Sequence, residues 1–311
     1  MALEFGPLQL EDAAACAEIG GDVFAGINIP YFLERQYGLS GYGGRMNAYW
    51  TRSLLQSDPR HFLVARDGAE VVAFAGLSAQ KQFGIGCLVH LGVKRSRQNQ
   101  GIGRQLVQAG IEHLRAQDLD VAWIAYDAGN ERAGHLYRKL GFADFEGELY
   151  LDRAMPGPEE RAALALRIEP ALEALLERLP GGQPVFPEER LAELYGLAAD
   201  RRALRRYYLA CRMGPGLTAY VPASGDDRSF VIAGREADGP VLRLSMVCCG
   251  GTEAAAALLQ SVLVHESAAA GKPPFVACYV DRHLPVGDSL QALAAAGFSR
   301  THSLVDLAQR L

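Results

Sequence analysis

The sequence predicts an α+β fold that is built twice along one chain. Its 311 residues are about twice the length of an average domain, and either half is long enough to bury its own core. In each half, three strand-like segments are followed by helix, strand and helix, which indicates a tandem duplication. A break at Met155-Pro-Gly-Pro158 separates the halves. We therefore expect domains at residues 1–155 and 156–311, each with a mixed sheet flanked by helices.

The composition is that of an ordinary globular protein, with 49% hydrophobic residues and a net charge of −5. Neither half is basic, so nucleic acid and anionic membranes are poor candidates as partners. No stretch reaches the ~18 apolar residues of a membrane span, and the first residues do not resemble a secretory signal. The six cysteines form no C-x-x-C pair. A reduced, cytoplasmic environment without a metal site is expected.

In the first half, apolar spacing and turn residues define the elements. Asp67-Gly68 predicts a hairpin turn, and Gly141 marks the end of a helix. The predicted helices are 13–25, 46–56, 103–117 and 131–140, and the predicted strands are 61–66, 70–77, 86–93, 121–126 and 148–152.

The second half begins with two predicted helical segments, 159–179 and 187–212. Strands are then predicted at 217–221, 229–233, 241–248 and 275–280, and helices at 252–269 and 289–296. Gly297-Phe298 closes the last helix as Gly141-Phe142 closes its counterpart.

A glycine-rich turn connects the strand that ends at Val93 to the helix that follows Gly101 and Gly103. Such a turn directs backbone N–H groups and the positive end of a helix dipole to one point, which is typical of a pyrophosphate site. A P-loop would need Gly-Lys-Ser/Thr, and a dinucleotide fingerprint would need a glycine where Leu106 stands. Both are excluded.

The spacing Gln98-x-x-Gly101-x-Gly103 and the segment Asn130-Glu-Arg-Ala-Gly-His-Leu-Tyr-Arg-Lys-Leu-Gly-Phe142 together resemble the GNAT superfamily of N-acetyltransferases. The resemblance covers most of residues 1–153. It implies acetyl-CoA as co-substrate, with Asn130 bonding the pantetheine and Tyr137 acting as the acid that protonates the leaving thiolate. It further implies these CoA-binding residues: Leu91, Gly92, Val93, Gln98, Asn99, Gln100, Gly101, Ile102, Gly103, Arg104, Asn130 and Tyr137.

Each assignment has a simpler alternative. Tyr137 lies on an apolar helix face and is either the acid or a packed aromatic with a satisfied hydroxyl. His90 is a possible base, but strand alternation places it on the face opposite Cys87, Val89 and Leu91, where the family carries its base candidates. Only a bulge would change that. Water or an acidic side chain is expected to serve as base instead.

The aromatic-rich loop 26–45 stands where the family binds its acceptor, or else is a plain connector. Arg201-Arg-Ala-Leu-Arg-Arg206 is expected to be a solvated helix face, or else a site that binds an acidic partner. In the second half the cradle loop is shortened to Val247-Cys-Cys-Gly-Gly-Thr-Glu253, with Cys248 and Cys249 expected in a buried strand. Leu293 and Val286 replace the tyrosine and asparagine. The second domain therefore resembles a degenerate copy.

Two functions remain. The first is N-acetyltransfer to a primary amine of a small molecule or peptide by direct attack, since no cysteine is expected where a nucleophile is needed. The second is an acyl-CoA sensor or scaffold without turnover. An acid at the sulfur favours the enzyme, because a binding module has no use for one. The sequence names neither the acceptor nor the oligomeric state.

Overall fold

The computed structural model describes residues 3–24, 59–157, 159–182, 184, 186–213, 216–224, 228–235, 241–248, 250–268, 275–281 and 286–311. The chain forms two compact units. One comprises residues 1–145 and 306–311, and the other comprises residues 146–305. The expected division at 155/156 thus differs from the observed one, because residues 148–154 pair with strands of the second half. The predicted helix 46–56 and the loop 26–45 lie outside the described residues.

The first unit is a mixed sheet. Its strands are β1 (Glu4–Pro7), β2 (Phe62–Asp67), β3 (Glu70–Gln80), β4 (Ile85–Val93), β5 (Val121–Asp127), β6 (Ala143–Glu146) and the end of the last strand, β13 (Ser299–Arg310). The order is β1-β2-β3-β4-β5-β13, and β6 pairs with β13. Neighbours from β1 to β4 are antiparallel, and β4 and β5 are parallel. The N–H of Leu311 donates to the carbonyl of Asp120, 2.9 Å away.

Three helices accompany this sheet: α1 (Ala13–Val23), α2 (Ile102–Arg115) and α3 (Glu131–Lys139). Helices α1 and α2 cover opposite faces of β4. Ile19 of α1 lies over Gly92, and Leu88 lies against Gly110 of α2, where an added Cβ would come within 2.7 Å of the leucine. The apolar face of α2 is buried throughout, including Leu106, Val107 and Leu114, as its 3.6-residue spacing predicts.

The second unit repeats the plan. Its strands are β7 (Glu148–Ala154), β8 (Leu166–Ile168), β9 (Leu217–Pro222), β10 (Phe230–Arg235), β11 (Val241–Cys248) and β12 (Phe275–Asp281), in the order β13-β7-β12-β11-β10-β9-β8. Its helices are α4 (Leu172–Leu176), α5 (Pro187–Tyr195), α6 (Arg201–Arg212), α7 (Thr252–Ala268) and α8 (Val286–Ala295). Leu244, Leu258, Val262 and Leu293 are fully buried in its core.

The predicted α+β class is confirmed, and the strands and helices from 61 to 141 and from 217 to 298 match within a few residues. The helix predicted at 159–179 is wrong. Residues 166–168 instead pair with β9 as an edge strand, and Pro170 prevents a helix from running through. The segment 187–212 is two helices, because Gly196 adopts the left-handed conformation (φ 63°) and ends the first. Strands β1, β6, β8 and β13 were not predicted.

The arginine-rich helix α6 is not simply a solvated face. Arg205 is buried and donates to Glu189 of α5 at 2.7 Å. Arg202 contacts Glu173 at 2.9 Å and also pairs with Glu177 of the turn after α4. Arg206 pairs with Glu173 as well. The run therefore fastens α6 to its neighbouring helices, and an acidic partner is not needed to explain it.

Candidate functional site

Strands β4 and β5 separate part-way along their length. Their parallel ladder runs from the pair Ile85–Val121 to the pair Leu88–Ile124, and both strands then continue, to Val93 and Asp127. Over the same stretch β4 stays paired with β3 on its other edge. We call residues 89–93 of β4 and 125–127 of β5 the fork. Its β4 edge presents backbone groups to any extended chain that enters.

A β-bulge lies at the start of the fork. Val89 pairs with Gly76 and Gly92 with Phe74, so His90 and Leu91 together oppose Ala75. His90 adopts a left-handed conformation, with φ of 53°. This conformation costs a residue with a Cβ roughly 1–2 kcal/mol, and such strain is concentrated at functional sites.

The bulge overturns the strand-alternation argument about His90. Before it, Gly86 and Leu88 face α2; after it, Gly92 faces Ile19 of α1. The alternation has shifted by one residue, and the His90 ring lies on the α1 side, edge-on to Phe24 with 6.1 Å between centroids. The expectation that His90 occupies the face opposite to Cys87 and Val89 is wrong.

The glycine-rich turn beside the fork is an anion cradle. Asn99 (φ 67°) and Gly101 (φ 79°) both have left-handed backbones, and α2 begins at Ile102 without a side-chain cap from Gly101. The first N–H groups of the helix therefore have no acceptor within it, and the helix dipole adds positive potential. The Gln98 side chain fixes the loop by donating to the Val93 carbonyl at 3.1 Å.

Ion pairs fix the residues that lead from β4 into the cradle. Glu70 accepts from Lys94 Nζ and from Arg97 Nη2, each at 2.7 Å. These hydrogen bonds lower the pKa of Glu70 to about 2. Arg95 in turn contacts Asp22 of α1 at 3.1 Å. The loop is thereby tied to β3 on one side and to α1 on the other, which shapes it before any ligand binds.

Asn130 has a structural task besides its predicted one. Its Oδ1 accepts from the Ala133 N–H at 3.2 Å and caps α3. The cap uses the carbonyl of the side chain, so the Nδ2 amide is the part that can donate to a ligand.

Tyr137 is buried on α3, between the ring edges of Tyr126 and Phe142 at 6.1 and 6.3 Å. Desolvation raises the pKa of its hydroxyl to about 12, so the group is protonated at any physiological pH. An added Cβ on Gly134 would lie 2.5 Å from Tyr126, so that glycine is what allows the aromatic packing. Tyr137 therefore packs in an aromatic cluster, and its role as an acid remains a prediction.

The second unit keeps the backbone plan of the fork. Its β11–β12 ladder also spans four pairs, from Val241–Phe275 to Leu244–Cys278, before both strands continue. A register shift leaves Ser245 unpaired opposite β10. Helix α8 ends as α3 does: the Phe298 N–H donates to the Leu293 carbonyl, as the Phe142 N–H does to that of Tyr137. This equivalence supports the alignment that placed Leu293 at the tyrosine position.

Internal hydrogen bonds occupy backbone groups of this second fork. The Gly250 N–H donates to Ser229 Oγ at 2.8 Å, and the buried Ser289 hydroxyl donates to the Val247 carbonyl at 3.4 Å. The N–H at the start of the shortened loop is therefore used within the protein. Cys248 lies at the end of β11, and Cys249 is outside the described residues.

The sequence profile of the Acetyltransferase (GNAT) family matches residues 31–142. That segment contains the fork, the cradle and α3. The matched segment of the first unit is therefore similar to the GNAT family.

Curated relatives share the same segment. A mycothiol acetyltransferase of Streptomyces avermitilis is 38% identical over 92 residues, and one of Paenarthrobacter aurescens is 35% identical over 97 residues. Each alignment covers 30% of this chain and 30% of the relative. The sequence likeness is thus confined to less than a third of either protein.

Solved structures extend the likeness of fold to the whole chain. A GCN5-related N-acetyltransferase from Sphaerobacter thermophilus superposes with a TM-score of 0.64 over 99% of this chain and 95% of its own, at 16% identity. A tandem GNAT protein from the clavulanic acid biosynthesis pathway gives a TM-score of 0.63 over 99% and 98%, also at 16% identity. The chain therefore has the fold of a tandem GNAT protein, and the segment that matches the GNAT profile lies in its first unit.

Two features are absent from the described residues. No three His, Cys, Asp or Glu side chains there come together as a metal site would require, and no helix in that part of the chain is long and apolar enough to cross a membrane.

Sequence reasoning missed the bulge, because nothing in Leu88-Val-His-Leu-Gly-Val93 marks His90 for a left-handed backbone. The nearest signal was Gly92, since a glycine within a strand often accompanies a bulge or a close approach.

Proposed function

We propose that the chain is an acetyl-CoA-dependent N-acetyltransferase whose active site lies in the first unit. The observation that carries the proposal is the fork next to an uncapped, glycine-rich helix start. The fork suits an extended, amide-bearing arm, and the cradle suits a pyrophosphate at the end of that arm. Acetyl-CoA has both features. No metal takes part in the proposed reaction.

The backbone of Leu91, Gly92 and Val93 would hold the pantetheine and donate to the thioester carbonyl. Hydrogen bonds from fixed N–H groups stabilise the negative charge that develops on that oxygen. The N–H groups of residues 98–104 would hold the pyrophosphate, and Asn130 Nδ2 would bond the pantetheine.

The acceptor amine would attack the thioester carbon in its neutral form. A C–N bond forms, and the nitrogen gives up its extra proton to water or to an acidic side chain. The C–S bond breaks, and the thiolate takes a proton from the Tyr137 hydroxyl, which solvent replaces. The raised pKa of Tyr137 keeps that proton in place until the thiolate appears. A positioned acid contributes about 10²–10⁴-fold in rate.

The acceptor is proposed to be a primary amine of a small molecule or peptide. The relatives named mycothiol acetyltransferase support a small-molecule acceptor. Their substrate should be the first acceptor tested. The segment 26–45, between α1 and β2 in sequence, is the proposed acceptor segment. A cytoplasmic location is also proposed.

The test is release of free thiol from acetyl-CoA over a panel of amino acids, polyamines, aminoglycosides, peptides and the substrate of the mycothiol acetyltransferases. Amine-dependent release supports an enzyme. Tight acetyl-CoA binding without release by any amine would favour the alternative, an acyl-CoA sensor.

Tyr137→Phe refines this test, because it keeps the buried ring and removes only the hydroxyl. We expect turnover to fall by about 10²–10⁴-fold with CoA affinity unchanged. Wild-type turnover in the variant would leave Tyr137 with its packing role alone.

A further inference from the structure

The position of the Tyr137 hydroxyl depends on how its ring is packed. Within the described part of the chain, no group forms a hydrogen bond with that hydroxyl. The ring lies between the edges of Tyr126 and Phe142, with centroids 6.1 and 6.3 Å away. An acid must come within about 3 Å of the atom that it protonates. Whatever fixes the neighbouring rings therefore also fixes the proposed acid.

Tyr126 is a fork residue whose buried side chain lies against α3. Its hydroxyl accepts a hydrogen bond from Arg138 Nη2 at 2.9 Å. The guanidinium carbon of Arg138 also lies 5.7 Å from the centroid of the Tyr126 ring, which is within the range of a cation–π contact. One side chain thus holds the ring both at its hydroxyl and over its face.

Arg138 can orient Tyr126 because it is itself fixed. It follows Tyr137 directly in α3, and the carboxylate of Asp144 in β6 accepts from its Nε at 3.1 Å and from its Nη2 at 2.7 Å. Two hydrogen bonds to one carboxylate set the plane of the guanidinium. The ion pair is about half exposed and so adds little to stability. Loss of this contact should therefore change the orientation of the ring more than the stability of the fold.

We infer that Tyr126 and Arg138 are positioning residues, which hold the Tyr137 ring so that its hydroxyl reaches the sulfur of the departing CoA. The inference rests on the proposed acetyltransferase function. In this role neither residue touches the reacting atoms, and the proton still comes from Tyr137. A misplacement of about 1 Å can cost 10²-fold in rate, so a small displacement of the ring should slow turnover without preventing acetyl-CoA binding.

The experiment uses the full chain and the best acceptor of the amine panel. Tyr126→Phe keeps the ring and removes the hydroxyl that Arg138 holds, and Arg138→Gln removes the guanidinium. Each should lower kcat by about 10–10²-fold, while the Kd of acetyl-CoA stays within about twofold of wild type. Lys139→Gln is the matched control, since it removes a positive charge from the next, exposed residue of α3. Its kcat should equal that of the wild type.

A double variant separates positioning from a general structural effect. If Tyr126 acts through the Tyr137 hydroxyl, Tyr126→Phe should have no further effect once Tyr137→Phe has removed that hydroxyl. The double variant should then match Tyr137→Phe in kcat within about twofold. A structural effect that does not pass through Tyr137 would slow both backgrounds by the same factor.

Four results would overturn the inference: wild-type kcat in Tyr126→Phe or Arg138→Gln, an equal loss of kcat in Lys139→Gln, loss of acetyl-CoA binding in either positioning variant, or equal losses in the two backgrounds. Wild-type kcat in Tyr137→Phe would also overturn it, because there would be no acid to position. Failure of the proposed function looks different, since the wild type itself would then release no thiol with any amine.

Discussion

The oxygen and the nitrogen of the Asn130 side chain have different tasks, and two substitutions can separate them. Its Oδ1 caps α3 through the Ala133 N–H at 3.2 Å, and its Nδ2 is proposed to donate to the pantetheine. Asn130→Asp keeps an oxygen for the cap and removes the donor, whereas Asn130→Ala removes both. Both variants should therefore weaken CoA binding, Asn130→Asp at least as much as Asn130→Ala because its carboxylate would face the ligand's acceptor, and only Asn130→Ala should lose stability.

The magnitudes follow from the contacts. Losing an N-cap side chain costs about 1 kcal/mol, which for a unit of this size lowers Tm by roughly 3 °C. Aspartate is as good a cap and complements the helix dipole, so its Tm should stay at or slightly above the wild-type value. Losing one hydrogen bond to the ligand costs about 1 kcal/mol, or roughly a fivefold rise in Kd.

Titration calorimetry with CoA and thermal unfolding without ligand measure these two effects. Wild-type CoA affinity in Asn130→Asp would show that the amide donor is not used, and would withdraw Asn130 from the proposed binding residues. An unchanged Tm in Asn130→Ala would show that the cap carries little energy.

Three further predictions concern the same unit. Gly103→Val should weaken CoA binding at least tenfold in a folded protein. Gly103→Ala should fold normally, because its Cβ would meet Val93 Cγ2 at an ordinary 3.7 Å. Equal CoA affinity in the wild type and both variants would contradict the cradle assignment. Cys87→Ala should retain turnover and give intersecting two-substrate kinetic lines, since direct attack needs no acyl-cysteine, whereas parallel wild-type lines would indicate one. Calorimetry on the full chain should find one CoA per chain, and a value near two would mean that the second fork also binds.

Local patterns were sufficient wherever sequence neighbours decide the structure. The spacing of Leu106, Val107 and Leu114 predicted α2, and Gly141 marked the end of α3. The turns at Gly68 and Gly141 could be predicted for the same reason. Both residues have the left-handed backbone that glycine adopts without strain. The cradle followed from these signals together.

Features that depend on distant residues could not be predicted. Residues 166–168 lie in a helix-favouring stretch, but pairing with β9 outweighs that weak preference. The bulge at His90 depends on the register against β3, which no local pattern records. Strand β13 has its partners far earlier in the chain, so its pairing could not be inferred from residues 299–310 alone.

That last strand affects how the protein is made. The first unit occupies mainly the first part of the sequence, yet it includes residues 306–311, and β13 is the neighbour of β5 in its sheet order. On the ribosome, the edge of β5 that pairs with β13 stays exposed until residues 299–310 have been synthesised. During that interval an exposed edge can pair with other chains. A fragment that stops near Arg153 would keep this edge exposed permanently, so the first unit should be expressed together with β13.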